Sequence, residues 1–358
     1  MVRAGGAGVA AGPTLAVVAR EAGVSVPTAS KVVNGREDVA PETRRRVTEA
    51  LDRLGYVRRP RFDAAKAPGL VDLVLHSLED SSSGAVLRGA EAAAYEAGLE
   101  VVVSAGPART RDGRPERGRL ERLAARGSSG ALVHLAELSA TQYAWLEHHR
   151  VPYVLIDPAH EPPAGVVSVG AADRQGGASA TGHLLGLGHE RIAVITGHPR
   201  TVTGAARLAG HRAALASAGI RYRAEYLRHA GDDEATARLR THELLDLPRP
   251  PTAVCCSDRV ALGVYTALAE RGLSVPDDIS VVGFGDLPEA RWAVPALTTV
   301  RRPLAEMAAA ALRLLMRMTA GERPEGTRTE LPTRLVRRAS TAPPADCVNA
   351  AARSDAGR

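Results

Sequence analysis

Aromatic side chains make up only 3% of the 358 residues: two Phe, two Trp and seven Tyr. Cores must therefore rest on Leu, Val, Ile and Ala, and a 45% hydrophobic content supplies enough of them. Cysteine is scarcer still. Cys255 and Cys256 are adjacent inside an apolar run and Cys347 stands alone, which gives no disulfide framework, no C-x-x-C pair and no His/Cys spacing suited to a metal. No apolar run approaches the roughly 20 residues of a membrane helix, so no membrane partner is expected. The small, Gly-rich start lacks the apolar centre of a secretion signal, and a cytoplasmic location is the expectation. Catalytic signatures are missing as well. GAADRQGG (170–177) has the wrong spacing for a dinucleotide fingerprint, GGASATG (176–182) is not a G-x-S-x-G elbow, there is no P-loop, and His148-His149 is an isolated pair. No cofactor, no metal and no enzymatic activity are expected.

What is present is unevenly distributed. Residues 1–66 hold 12 Lys and Arg against 7 Asp and Glu, so nearly all of the net charge of +6 lies at one end. A concentrated basic end is the electrostatic footprint of a module that binds a polyanion. Within it, residues 1–12 have no periodicity and read as disordered. Thr14 stands where it can cap a helix to about Ala22, with Leu15, Val18 and Ala19 on one face. Gly23 permits a tight turn. Ser25 can cap a second helix with Pro27 in its first turn, ending near Asn34-Gly35. Pro41 opens a third, whose stripe is Val47, Leu51 and Leu54 and whose stop is Gly55.

Residues 58–69 carry two prolines and several basic residues and read as a linker, so the compact first unit is expected over 13–57. A different rhythm follows. Strand candidates at Val71–Leu75, Glu100–Val103, Ala131–Leu135, Val154–Asp157, Arg191–Thr196, Thr252–Cys256 and Ile279–Phe284 alternate with amphipathic stretches at 84–97, 173–187, 203–218, 258–271 and 303–319. Such alternation predicts an α/β fold of βαβ units with parallel sheets over residues 70–338, with ligands at the carboxyl ends of the strands. Residues 339–358 lack periodicity and read as a disordered tail without leucine heptads.

TLAVVAREAGVSVPTASKVVNG (14–35) and PETRRRVTEALDRLGY (41–56) resemble the helix-turn-helix and third helix of the lac-repressor (LacI-type) family of bacterial transcriptional regulators. The resemblance implies a DNA-binding headpiece whose second helix enters the major groove. There, Val26 and Pro27 could offer only apolar contacts, such as to a thymine methyl, and Lys31 is the one long donor for a base edge. Thr14, Ser25, Thr28 and Ser30 are hydroxyls for phosphate oxygens, and Asn34 is a polar contact at the helix end. Ala40 stands where the family has Ser, which removes a helix cap. The family's linker forms a short hinge helix that wedges a leucine into the minor groove. This chain lacks that leucine. Arg58, Arg59 and Arg61 suit phosphate or minor-groove contacts, Phe62 could be a wedge, and a degenerate hinge helix, an extended basic arm and a flexible linker all remain open.

The likeness continues through VSVGAADRQGGASATGHLLGLGHERIAVITG (167–197), RLAGHRAAL (207–215), DISVVGFGD (278–286) and LTTVRRPL (297–304). It implies two α/β lobes like those of periplasmic sugar-binding proteins, an effector in the cleft between them, a homodimer, a palindromic double-stranded DNA operator, and a repressor whose operator affinity the small molecule modulates. Carried over by position, the effector residues are Asp157, Thr203, Arg207, Ser257, Asp258, Asp286 and Arg302, with Asp80, Ser82 and Ser83 after the first strand. Gly285 replaces a family Asp, and Arg302 replaces a family Gln. Together these changes predict a more positive cleft and a phosphorylated or acidic ligand. A transported-solute binding protein shares the sensor fold, but the headpiece argues against it.

Overall fold

The computed structural model describes residues 13–33, 35–36, 38–56, 68–105, 117–135, 138–198, 201–322 and 324–345. The chain divides into two compact units, Met1–Ala67 and Pro68–Arg358. Asn34, Arg58, Arg59, Arg61 and Phe62 lie outside the described residues, as does the question of a hinge helix.

The first unit is three helices, α1 (Leu15–Glu21), α2 (Val26–Val33) and α3 (Pro41–Leu54). Their apolar faces close on Val18, Ala19, Ala29, Val32, Val39, Val47 and Ala50, all buried, with Leu51 and Leu54 packed against them. Ser25 Oγ accepts the Thr28 amide at 3.3 Å, the bond that starts α2. Thr14 occupies the N-cap of α1 without making a side-chain cap bond, contrary to expectation. Ala40 precedes α3 without a cap bond, and Pro41, whose missing N–H leaves no donor to satisfy, begins that helix.

The second unit holds two six-stranded sheets. The first lobe contains β1 (Gly69–Leu75), β2 (Leu99–Ala105), β3 (Gly130–His134), β4 (Tyr153–Ile156) and β5 (Ser168–Ala171), with α4 (Ser81–Glu96), α5 (Arg117–Arg126) and α6 (Ala140–His148). The second contains β6 (Ile192–Thr196), β7 (Leu227–His229), β8 (Ala253–Cys255), β9 (Ser280–Gly285) and β10 (Thr298–Arg301). Its helices are α7 (Asp173–Gly186), α8 (Val202–Ser217), α9 (Glu234–Leu245), α10 (Asp258–Glu270) and α11 (Pro288–Trp292). The chain then returns: α12 (Leu304–Thr319) packs on the first lobe, β11 (Arg328–Leu331) joins β5 in parallel, and β12 (Arg334–Val336) joins β10 antiparallel. Strand order is β11-β5-β4-β3-β1-β2 in one sheet and β12-β10-β9-β8-β6-β7 in the other. Three segments thus connect the lobes: the β5–α7, β10–α12 and β11–β12 links.

Parallel strands covered on both faces explain the near-continuous apolar runs, such as the fully buried pattern of β3 and β9. Close helix packing completes the first lobe. A Cβ at Gly89 of α4 would lie 2.1 Å from the Ala305 carbonyl oxygen of α12, so only glycine fits. The tail differs from expectation over its first residues. Ser340 is fully buried, its hydroxyl donates to the Val281 carbonyl at 2.6 Å and accepts the Thr298 amide at 2.8 Å. Ala342 bonds to Ser280 and His189. Backbone and hydroxyl bonding along β9 and β10, not apolar periodicity, orders this stretch.

Candidate DNA-reading helix and effector cleft

Helix α2 turns Ala29 and Val32 into the core, which leaves Ser25, Val26, Pro27 and Lys31 exposed and Thr28 and Ser30 half-buried. Val26 keeps 44% of its surface in water, an unusual position for a β-branched apolar residue in so small a unit. Apart from Lys31, the other side chains on this face are short. Ser25 and Thr28 share a hydroxyl–hydroxyl bond of 2.8 Å in addition to the helix-start bond, so Ser25 is partly committed to its own helix. Lys31 Nζ meets Asp38 at 2.7 Å. Both partners are more than half exposed, so the pair is weak and can be exchanged for a nucleic-acid contact. The Lys31 hydrogen bond nevertheless holds Asp38 below the usual carboxylate range.

The lobe connections converge on a buried ion network. Arg302, on the β10–α12 link, forks onto Asp157 at the end of β4, with Nη1 donating to Oδ2 at 2.8 Å and Nη2 to Oδ1 at 2.6 Å. Nη2 also reaches Asp173 Oδ2, at the start of α7, at 3.3 Å. Arg207 Nε donates to Asp173 Oδ1 at 3.0 Å, and its guanidinium lies 3.9 Å from the centre of the Phe284 ring. Two arginines and two aspartates therefore balance. Burial would raise the Asp157 pKa, but the charge and hydrogen bonds of Arg302 outweigh it and hold the carboxyl low. Burial would likewise lower Arg302, and Asp157 and Asp173 instead keep it firmly protonated. A planar, permanently charged fork is the side chain that can bridge two carboxylates in this way.

This geometry corrects the expected charge of the cleft. Arg302 is not an additional free cation, because its Nη1 and Nη2 are spent on Asp157 and Asp173, although its buried Nε has no partner. Asp258 is also committed. It is fully buried, takes the Thr299 hydroxyl at 2.5 Å and the Leu287 amide at 2.8 Å, and ties α10 to the β9–α11 turn and β10. Burial pushes its pKa up to about 6. Asp286, at φ 58, pairs with Arg338. Gly285 has φ 144, and a Cβ there would lie 2.9 Å from Asp258 Oδ2, so the position that lacks a carboxylate also resists one.

The remaining predicted residues divide into groups. Arg207 and Ser257 line one cavity of about 50 Å³ with Phe284, Thr196 and Cys255, whereas Thr203 lines another of about 60 Å³ with Asp157 and Asp173. Ser257 caps α10 and donates to Asp232 at 3.1 Å. Asp80 caps α4 by accepting the Ser82 amide at 2.9 Å. The Ser82 hydroxyl turns back to Asp80, and Ser83 donates to the Ser77 carbonyl at 2.6 Å, so both buried serines serve the helix start. The lobes touch where Ser81 of α4 donates to Glu289 of α11. Asp80 and Asp232, one from each lobe, lie close enough for Asp80 to add to the burial that raises Asp232.

Two contributors were not anticipated from sequence. His134 ends β3 fully buried, with neither ring nitrogen hydrogen-bonded, and burial lowers its pKa to about 4 despite the opposing charges of Asp157 and Asp80. A lone His closing an apolar strand was its only signal. Asp173 was visible only as part of a longer matching segment.

Among the described residues no helix is long and apolar enough to cross a membrane, and no group of three His, Cys, Asp or Glu could hold a metal ion. Residues 14–59 match the model of bacterial regulatory proteins of the lacI family, and residues 181–341 match a periplasmic binding protein-like domain. The chain is 35% identical over 341 residues to the HTH-type transcriptional regulator CelR of Thermobifida fusca, covering 92% of this chain and 98% of that one. It is 32% identical over 337 residues to the transcriptional repressor PurR of Klebsiella pneumoniae, with 92% and 97% covered. Among solved structures, a CelR–cellobiose complex superposes with a TM-score of 0.69 at 33% identity over 92% of this chain and 99% of that one. The lac repressor dimer bound to operator and the anti-inducer ONPF gives 0.69 at 27%, covering 93% and 100%.

Proposed function

The chain belongs to the lacI family of bacterial transcriptional regulators, and from that premise we propose that it acts as a homodimeric repressor on a palindromic operator, released or tightened by a sugar-class effector in the cleft. The observation that carries this reading is the exposed face of α2, whose Val26, Pro27 and Lys31 stand clear of a complete three-helix core. Val26 and Pro27 meet thymine methyls, Lys31 meets a base acceptor, and Thr14, Ser25, Thr28 and Ser30 approach phosphates, with Asn34, Arg58, Arg59 and Arg61 extending the contact. One such unit buries too little surface for specific affinity, which a two-fold dimer doubles.

Exposed apolar side chains support dimerisation through the sensor unit: Trp292 is 76% exposed, Val294 89% and Tyr95 81%. Such residues belong under a partner surface. In the cleft, Arg207 supplies the guanidinium for ligand hydroxyls, and Asp80 and Ser257 the flanking polar groups. Asp157, Asp286, Asp258, Arg302, Ser82 and Ser83 shape the site from behind, and Thr203 borders the adjoining cavity. A ligand that prefers one arrangement of the lobes shifts its population, and the operator affinity follows. CelR offers a precedent in kind through its cellobiose complex. Footprinting with sedimentation tests the proposal. Two symmetric protected half-sites and a dimer at micromolar concentration are expected, and a monomer that protects a single half-site would refute it.

A further inference from the structure

The cavity of about 50 Å³ in the second lobe has two unlike ends. At one end it is lined by Thr196, Arg207 and Ser257, all half-buried. Thr196 and Ser257 stand at the carboxyl ends of β6 and β8, where a parallel sheet receives its ligand. At the other end it is lined by Thr181 of α7 and His211 of α8, both buried, with Ala180 and Val194 as apolar wall. The cavity therefore runs from the cleft side of the lobe into its core. Its mouth keeps donors to spare. Arg207 spends Nε on Asp173 and is stacked on Phe284, but among the described residues its two Nη groups make no hydrogen bond.

The buried end offers one unused acceptor, and the hydrogen bonds fix which atom it is. Thr181 Oγ1 donates to the Gly177 carbonyl at 3.0 Å, and a carbonyl only accepts, so the single hydroxyl proton is spent there. The same oxygen lies 2.9 Å from His211 Nδ1, which is therefore the donor in that bond. His211 is 3% exposed, and burial lowers its pKa to about 4, so the ring is neutral. A neutral ring with its proton on Nδ1 has a bare Nε2, and among the described residues that nitrogen makes no hydrogen bond. A buried acceptor is costly to leave unmet, and an O–H satisfies it where a carboxylate or phosphate oxygen does not. Size adds a limit. About 50 Å³ is room for roughly three to five water-sized groups, which suits a short arm and is too small for a sugar ring.

We propose that this cavity is a subsite for a hydroxymethyl arm, which makes the effector a hexose-type sugar and makes His211, held by Thr181, the residue that selects it over a pentose-type sugar. The carbon of the arm packs on Ala180 and Val194, its hydroxyl donates to His211 Nε2, and the ring hydroxyls stay at the mouth with Arg207 and Ser257. The proposal rests on the reading of this cleft as the effector site.

Calorimetry on the full chain with matched probes tests it: glucose against xylose, and cellobiose against xylobiose, pairs that differ only in hydroxymethyl arms. At least one hexose-type probe should bind about 10-fold tighter or more than its pentose partner. His211→Phe keeps a ring and removes the acceptor, and Thr181→Val removes the hydroxyl that fixes the imidazole. Each should reduce the preference while leaving the pentose affinity in place, with circular dichroism reporting which variants are folded. Equal or tighter binding of both pentose probes to the wild type is the result of a cavity that holds only water, and it would overturn the subsite while leaving the effector reading standing. An undiminished preference in the folded variants would also overturn it. Failure of all four sugars to bind would count against both the subsite and the effector reading.

Discussion

The two units handle charge in opposite ways. In the headpiece the ion pairs are at the surface: Lys31–Asp38, Arg45–Glu42 and Arg53–Glu21 all have partners more than 40% exposed. In the sensor unit the Asp157–Arg302–Asp173 cluster has side chains no more than 7% exposed. Surface pairs contribute little to folding and can be exchanged for phosphates and bases at low cost. A buried network contributes through geometry, and removing one member strands the others. The comparison teaches that the recognition unit keeps its charges available, whereas the sensing unit, beside exposed pairs such as Arg238–Glu270 and Arg317–Glu322, commits Arg302 to fixing how the chain passes between the lobes.

The sharpest break of this contrast is at Arg302. Arg302→Ala leaves Asp157 and Asp173 buried without their shared cation and should cost about 3–5 kcal/mol of sensor stability by chemical denaturation. Arg302→Lys should recover only part of that, because an ammonium cannot fork onto Asp157. A loss below about 1 kcal/mol for Arg302→Ala would put this cluster on the same footing as the surface pairs of the headpiece.

A second test uses Asp258, whose burial lifts its pKa from 3.8 to about 6. The folded protein then holds this proton more tightly than the unfolded chain does. The resulting stability is full below about pH 3.8 and is lost as pH rises through about 6. A shift of about two units corresponds to at most ~3 kcal/mol. The stability of the wild type relative to Asp258→Asn should therefore fall as the pH is raised between about 4 and about 7, and a flat difference would show that the carboxyl titrates normally.

Lys31→Ala should have its effect on DNA instead of on folding. Operator affinity should fall by about 1–3 kcal/mol with discrimination relaxed at one base position. Folding stability should move by no more than about 1 kcal/mol, since only an exposed pair is lost. A uniform loss over all DNA sequences would make Lys31 a phosphate contact.

The same division governs what the sequence could reveal. The headpiece was legible almost residue by residue, because caps, turns and apolar spacing are local: Gly23, Pro41 and Gly55 mark boundaries that the helices respect. The alternating strands were legible for the same reason, although β5, β7, β10, β11, β12, α5, α6, α9 and α11 carry weaker patterns and were not anticipated. The cleft chemistry was not. Arg302 and Asp157 are 145 residues apart, and nothing local shows that one neutralises the other. The carboxylates of Asp258 and Asp286 look available in sequence and are consumed by Thr299, Leu287 and Arg338 in space. Ser340 lies in a stretch without periodicity, and its two backbone bonds could not be read from pattern.

The account's central claim is that occupancy of the sensor cleft changes how tightly the headpiece holds DNA. The direct measurement is operator affinity by fluorescence anisotropy, at fixed salt, with and without a sugar whose binding to the cleft calorimetry has established and Arg207→Ala abolishes. The account predicts a change of about 5- to 150-fold in either direction, lost in Arg207→Ala. An operator affinity that stays the same while the cleft is demonstrably saturated would contradict it.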